Sequence, residues 1–318
     1  MDDRGLANQV GHGSAAGRRS SRPDCSRRQA AGHIVQFAGL AQGRAGPTAV
    51  GEGRVAQREL GKTGLKAFPL GLGTVKIGRN LDVKYPDAFD LPDDRQVSAL
   101  LEAALDEGIA FIDTAPAYGE SERRLGDFVR RNRERIVLCS KAGEEFLDGR
   151  SHFDFSADAL VESARRSLQR LQTDHLDLLL LHSDGRDQVI IEQTDALEGL
   201  RRIREAGMAR AVGISAKTAQ GVRLAAAELD AVMAPFGPGH PDLGPELANA
   251  RAQGCATLAI KVLGQGHALR DGQGDPVQEA LDFVLGTDGI DLAVIGTLSV
   301  QHLRDAAARA RRSIGMQE

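Results

Sequence analysis

From residue 57 onward the chain alternates short apolar runs with longer stretches in which apolar positions recur every three or four residues. These are the periodicities of buried strand and half-buried helix. Eight such units follow one another, with the strand-like runs ending near Leu72, Ile112, Cys139, Leu181, Ile214, Ala234, Ile260 and Ile295. Each helical stretch has one face to bury. Val97, Leu100, Leu101, Ala104 and Leu105 share a face that stops at Gly108; Leu160, Ala164, Leu168 and Leu171 stand behind a Ser156 cap; Leu197, Leu200 and Ile203 precede Gly207. Strands separated by helices need crossover connections, so the sheet should be parallel and the class α/β. Eight units in a chain of this size predict a closed (β/α)₈ TIM barrel. A doubly wound open sheet is the competing architecture. It usually announces itself by G-x-G-x-x-G after the first strand, whereas Gly71-Leu72-Gly73-Thr74-Val75-Lys76 lacks the third glycine. Ahead of the first strand, Arg58 to Phe68 with its Lys62-Thr63-Gly64 turn predicts a short N-terminal β-hairpin that could close the barrel's bottom.

Residues 1–56 read differently from residues 57–318. They hold ten Gly, eight Arg and four acidic residues with almost no apolar periodicity, too little to bury against the entropy of ordering. We read them as a disordered tail, or as an over-long start, since no second Met occurs before Met208. The stretch begins Met-Asp-Asp and shows neither the amphipathic face of a transit peptide nor the apolar region of a signal peptide.

Composition narrows the function classes. The chain of 318 residues is 42% hydrophobic and 26% charged with a net charge of −4, ordinary for a globular protein. Because the tail is basic, the barrel region is more acidic than the total conveys. With 4% aromatic residues and no basic stripe, the stacking platforms of a nucleic-acid binder are missing. The longest apolar runs, such as Leu178 to Leu181, fall far short of the roughly 18 residues of a membrane helix. Cys25, Cys139 and Cys255 have no C-x-x-C spacing, which excludes a disulfide framework and a zinc knuckle and fits a reducing, cytoplasmic compartment. A small-molecule partner is the expectation that remains, with no metal.

Candidate chemistry stands at three consecutive strand ends. Asp113 follows Phe111-Ile112, Lys141 follows Ile136 to Ser140, and His182 follows the leucine run; in a barrel these ends form the catalytic face. Tyr118 lies five residues after Asp113, in a Pro116 to Gly119 loop able to fold the phenol over the mouth. A set of Tyr, Lys, Asp and His has no Ser or Cys nucleophile beside a base and is a poor zinc shell. Proton transfer by the phenol fits it. The free phenol has a pKa near 10, and an ammonium such as Lys141 lowers it. Asp113 would pair with Lys141, while His182 could donate to a substrate oxygen or share its proton with Tyr118. A carbonyl that gains a proton as its carbon gains hydride suits this site, and the hydride has to come from a cofactor.

The stretch Phe111-Ile112-Asp113-Thr114-Ala115-Pro116-Ala117-Tyr118-Gly119, followed by Ser140-Lys141, Leu181-His182 and Gly213-Ile214-Ser215, resembles the aldo-keto reductase superfamily. The resemblance covers residues 57–318. It implies a (β/α)₈ barrel that reduces aldehydes and ketones with NADPH, sometimes NADH, through a tetrad of Asp113, Tyr118, Lys141 and His182. On the cofactor side it implies Gly73 and Thr74 at the first strand end and Ser215 at the fifth. Lys261, Leu263 and Gly264 follow the seventh strand, and Gly296, Thr297, Ser299 and His302 follow the eighth, where Ser299 caps a helix able to hold a phosphate. Departures are visible too. Positions that often carry Lys or Arg for the 2′-phosphate are Thr297, Leu298, Ser299 and His302 here, with Arg304 the nearest permanent cation; Ala216, Met233 and Ile260 replace frequent cofactor contacts. Lys76 to Pro92, with Tyr85, Pro86 and Phe89, and Glu144 to Phe155 are candidate substrate walls. Two rivals stay open: a nucleotide-binding redox sensor or regulatory subunit of the same fold with little turnover, and a barrel lyase in which Lys141 forms a Schiff base.

Overall fold

The computed structural model describes residues 56–83, 85–269 and 274–316. The tail reading of residues 1–56 therefore falls, except for Ala56, outside the described residues. The chain opens with an antiparallel hairpin, β1 (Arg58–Glu59) and β2 (Lys66–Ala67). Eight parallel strands then close a barrel: β3 (Leu70–Gly73), β4 (Phe111–Asp113), β5 (Val137–Ala142), β8 (Leu176–His182), β9 (Ala209–Ser215), β10 (Ala231–Pro235), β11 (Ala256–Ile260) and β12 (Leu292–Ile295), the last pairing with the first. The predicted (β/α)₈ order is borne out, because each strand pairs with its successor in the barrel.

The connections carry α1 (Val75–Gly78), α2 (Asp94–Asp106), α3 (Ser121–Asn132), α4 (Ala157–Arg170), α5 (Asp187–Gln193), α6 (Ala196–Glu205), α7 (Ala219–Glu228), α8 (Gly244–Ala252), α9 (Pro276–Gly286) and α10 (Val300–Ser313). Between β5 and α4 lies an additional antiparallel hairpin, β6 (Glu144–Leu147) and β7 (Arg150–Phe153). Periodicity could not reveal it, since Glu-Glu-Phe-Leu and Arg-Ser-His-Phe contain no alternation of apolar and polar residues. Local caps explain several boundaries. Asp93 and Gln96 form a reciprocal capping box at α2, with both bonds at 2.8 Å. Ser156 precedes α4 as expected but makes no side-chain cap bond; its own amide donates to Asp154 Oδ1 at 2.9 Å.

The leucine run of β8 shows how one strand serves two cores. Leu178 and Leu180 pack inside the barrel with Phe111, Cys139 and Met233, whereas Leu179 and Leu181 face the helices. A strand's side chains alternate between its faces, so a strand covered on both reads as continuously apolar. Leu60, Leu65 and Ala67 of the first hairpin belong to the interior core and plug its lower end. Asp291 fastens that plug, accepting the amides of Gly61 at 3.1 Å and Thr257 at 3.0 Å. Among the described residues no helix is long and apolar enough to cross a membrane, no acidic, Cys or His cluster could hold a metal, and Cys139 and Cys255 are free and buried.

Candidate active site

The interior parity of the strands dictates which side chains converge at the top. Phe111, Cys139 and Leu180 point into the barrel core; Asp113, Lys141 and His182 each stand two residues further on, so they share that face at the C-terminal ends. Tyr118 arrives by a different route. Pro116 starts a single 3₁₀ turn through Tyr118, and Gly119, at φ +62°, redirects the chain into α3. The backbone of Gly119 runs so close to that of Gly78 that a side chain on either would collide with the other turn, and the Glu120 amide donates to Gly78 O at 3.1 Å. This seam locks the phenol above β4 and β5.

Lys141 is 1% exposed, and all three of its N–H donors are used: Asp113 Oδ1 at 2.5 Å, Thr114 O at 3.0 Å and Tyr118 Oη at 3.0 Å. The phenol in turn donates toward Asp113 Oδ2 at 3.4 Å. Burial would lower the lysine, but Asp113 and Tyr118 outweigh it and hold the ammonium charged. At Tyr118 the balance runs against the sequence-based expectation of a lowered phenol. Burial and the Asp113 charge push it above its ordinary value, and Lys141 opposes them without prevailing. The unliganded phenol thus keeps its proton, as a donor requires.

His182 stacks edge-on against Tyr118, with ring centroids 5.9 Å apart. Its Nδ1 lies 2.9 Å from Glu144 Oε2, close enough for an ion pair although off the line of a directional hydrogen bond. Burial lowers the imidazole, and Glu144 pulls the other way without cancelling it. The Glu144 carboxyl, from the start of β6, sits below its ordinary value. Burial would raise it, but His182, Ser151 and the Lys217 charge together outweigh that.

These groups open into one cavity of about 660 Å³. Asp113, Tyr118 and His182 line one part of it, with Lys141 walled off behind them. Of the residues expected at a cofactor, Gly73, Thr74, Lys261 and Leu263 line the cavity, as do Gly296, Thr297 and His302. Ser215, Gly264 and Ser299 do not. Ser215 ends β9 in register with His182 and Met233; Gly264 closes a turn onto Lys261 O at 2.8 Å; Ser299 caps α10, accepting the His302 amide at 3.2 Å. Met233 and Ala216 are buried, while Ile260 lines the cavity. Arg304 reaches back to Glu107 at 3.9 Å and does not line it.

Sequence reasoning missed Arg309, which lines the cavity and is held by Asp275 at 2.8 Å. The signal was available, because position 309 lies two helical turns beyond His302 on the same face of α10. Lys76 was also passed over as a side chain; its ammonium sits 4.2 Å above the Tyr85 ring, inside the cavity wall. The donor chemistry fits the phosphates of a nicotinamide dinucleotide. Lys261 and Arg309 are cationic, His302 lines the same cavity, and the Ser299 cap leaves the Val300 and Gln301 amides at the α10 N-terminus without helical acceptors.

The aldo/keto reductase family profile matches residues 69–278, more than half of the chain. This chain belongs to the aldo/keto reductase family. A solved Pseudomonas aeruginosa structure described as of the aldo-keto reductase type is similar at 40% identity, with a TM-score of 0.73 over 81% of this chain and 96% of that one. Among curated relatives, an aldo-keto reductase of Bacillus subtilis is 34% identical over 48% of this chain and 44% of its own length. D-threo-aldose 1-dehydrogenase of a Pseudomonas species is 31% identical over 52% of this chain and 55% of its own. The chain therefore spans about half the length of these two curated relatives.

Proposed function

We propose that this chain reduces the carbonyl group of a small aldehyde or ketone, with Tyr118 as the proton donor and NADPH, or more weakly NADH, as the cofactor. The observation that carries the reading is the convergence at one cavity of the partly buried Tyr118 phenol, Asp113 and His182, with the Lys141 ammonium bonded to both Asp113 and the phenol behind them. A bound nicotinamide supplies the hydride, which no side chain can. Tyr118 gives its proton as negative charge grows on the carbonyl oxygen. Lys141, 3.0 Å from the phenol oxygen, then stabilises the phenolate left behind, and Asp113 keeps the ammonium in place. His182, edge-on to the phenol in the same cavity, orients the carbonyl.

Gly73, Thr74, Gly296 and Thr297 supply a wall of small residues for a cofactor, while Lys261, His302, Arg309 and the α10 N-terminus favour its phosphates. Ser215, Gly264 and Ser299 act through the turns and caps that shape this wall. Fluorescence titration with both reduced cofactors, followed by turnover of an aldehyde and ketone panel, tests the reading. Tight binding with steady turnover is expected. Binding with a single cofactor oxidation and no turnover would point to a redox sensor instead, and no binding would end the oxidoreductase reading.

A further inference from the structure

Glu122 is a fully buried carboxylate that lies outside the cavity and takes no part in the proposed proton transfer. It stands in the first turn of α3, just after the Tyr118 turn, and its two oxygens face different elements. Oε1 accepts from Ser140 Oγ on β5 at 2.6 Å, and Oε2 accepts from Arg170 Nε on α4 at 2.7 Å. Ser140 directly precedes Lys141, and its side chain points out of the barrel where that of Lys141 points in. Ser121 makes the matching bonds to the ends of β3 and β4. Its Oγ donates to Thr74 Oγ1 at 2.8 Å, and the Thr74 hydroxyl donates to Asp113 O at 2.8 Å. A hydroxyl has one proton, so Thr114 Oγ1 is the donor in its 3.0 Å contact with Ser121 Oγ. The Thr114 carbonyl in turn accepts from Lys141. Close backbone approaches hold α3 on both sides. A Cβ on Gly126, one turn further along, would lie 2.6 Å from Arg170 O, and one on Gly78 would lie 2.1 Å from the Ser121 amide nitrogen. Apolar packing is non-directional; these bonds have length and direction, and they set where the helix starts.

We propose that Ser121 and Glu122 are positioning residues: by bonding the ends of β3, β4 and β5 at once they fix the start of α3, and with it the Tyr118 phenol 3.0 Å from the Lys141 ammonium. The proposal rests on the reading of Tyr118 as proton donor, and it names what holds donor and cation together. Tyr118 and Lys141 come from separate elements, so their separation is set by whatever spans the gap. Glu122 spans it, because it follows the phenol's own turn and grips the residue before the lysine. Removing the Ser140 hydroxyl cuts that span while the Glu122–Arg170 pair stays in place. Removing the Ser121 hydroxyl releases the ends of β3 and β4. The attraction between ammonium and phenolate weakens with distance, and a displacement of about 1 Å can cost up to roughly 10²-fold in rate.

Carbon-13 NMR of the full chain, labelled at tyrosine Cζ, reads the phenol without any substrate. The chain holds two tyrosines, Tyr85 and Tyr118, and the signal lost in Tyr118→Phe is that of Tyr118. Ser121→Ala and Ser140→Ala should each move it further than they move the Tyr85 signal. Kinetics then read the consequence. In each variant kcat for a test aldehyde should fall by roughly tenfold while KM for aldehyde and cofactor stays within about twofold, because the lost alignment matters only as charge develops. Thr257→Val removes a buried hydroxyl at the opposite end of the barrel and is the control: its unfolding midpoint should fall with kcat and both signals unchanged. A Tyr118 signal indifferent to both serine variants overturns the positioning role. So does a kcat that keeps its wild-type value in them while Tyr118→Phe abolishes turnover. Full turnover in Tyr118→Phe ends the proton-donor reading, and a Tyr118 signal that moves in both serine variants still upholds the positioning role.

Discussion

Asp113 and Asp291 occupy opposite ends of one barrel, both at most 2% exposed and both with a cation 2.5 Å away. At the bottom, Asp291 also accepts two backbone amides and ties the first hairpin to β11. Its partner Arg251 is half exposed, and nothing mobile has reason to approach. At the top, Asp113 has a fully buried lysine as its partner and a phenol at hydrogen-bond range, and it borders a cavity. The two carboxylates are nearly identical as chemistry. What separates a fastening from a candidate reaction centre is open volume and a titratable neighbour that can exchange a proton with whatever fills it.

The comparison breaks first at the phenol. Tyr118→Phe should cut carbonyl reduction by about 10²–10⁴-fold while cofactor binding persists, since the proton is needed only as charge develops on the substrate. Near-normal turnover of a test aldehyde would sink the assignment. Lys141→Met comes next. It leaves Asp113 buried and unpaired, a loss of about 3–5 kcal/mol, and adding Asp113→Asn should restore much of that stability without restoring turnover. Chemical denaturation and steady-state kinetics on the same samples read both.

At the bottom, Asp291→Ala strands the Gly61 and Thr257 amides, on the order of 1–3 kcal/mol for each buried donor left unpaired. The midpoint of unfolding should fall while kcat/KM stays put. A matching loss of activity would show that the two ends are coupled.

The smallest effect sharpens the contrast by pH. His182 and Glu144 both lie below their ordinary values of 6.5 and 4.5 in the folded chain. The unfolded chain then binds protons more readily than the folded one. Stability should erode as pH falls below about 6.5 because of His182, and further below about 4.5 as Glu144 protonates. Urea midpoints measured across that window should slope less in a His182→Asn, Glu144→Gln double variant; an unchanged slope would place the acid sensitivity elsewhere.

Much of this was legible in the residues themselves. Eight apolar runs set the number of strands, and the Lys62-Thr63-Gly64 turn marked the hairpin, because both signals are local. The tetrad could be read for a related reason: Asp113, Lys141 and His182 end strands, and consecutive parallel strands bring their ends together. Glu144 could not be read the same way. Its hairpin has no periodicity, and its meeting with His182 joins the connection after β5 to the end of β8. Arg309 was legible only in hindsight, since its face on α10 mattered more than its distance from the strand end.

By itself, then, the chain determined its strand and helix order, its parallel class and the four ionisable groups at the mouth, because hydrophobic periodicity and strand-end position are properties of neighbouring residues. The tertiary structure decided the rest. Whether the phenol keeps its proton depends on burial against the Asp113 and Lys141 charges, which is a sum over groups that only the closed barrel brings within a few ångströms. The identity of the cations along the cavity depends on the same closure, for side chains distant in sequence acquire their electrostatic partners only when the eighth strand meets the first.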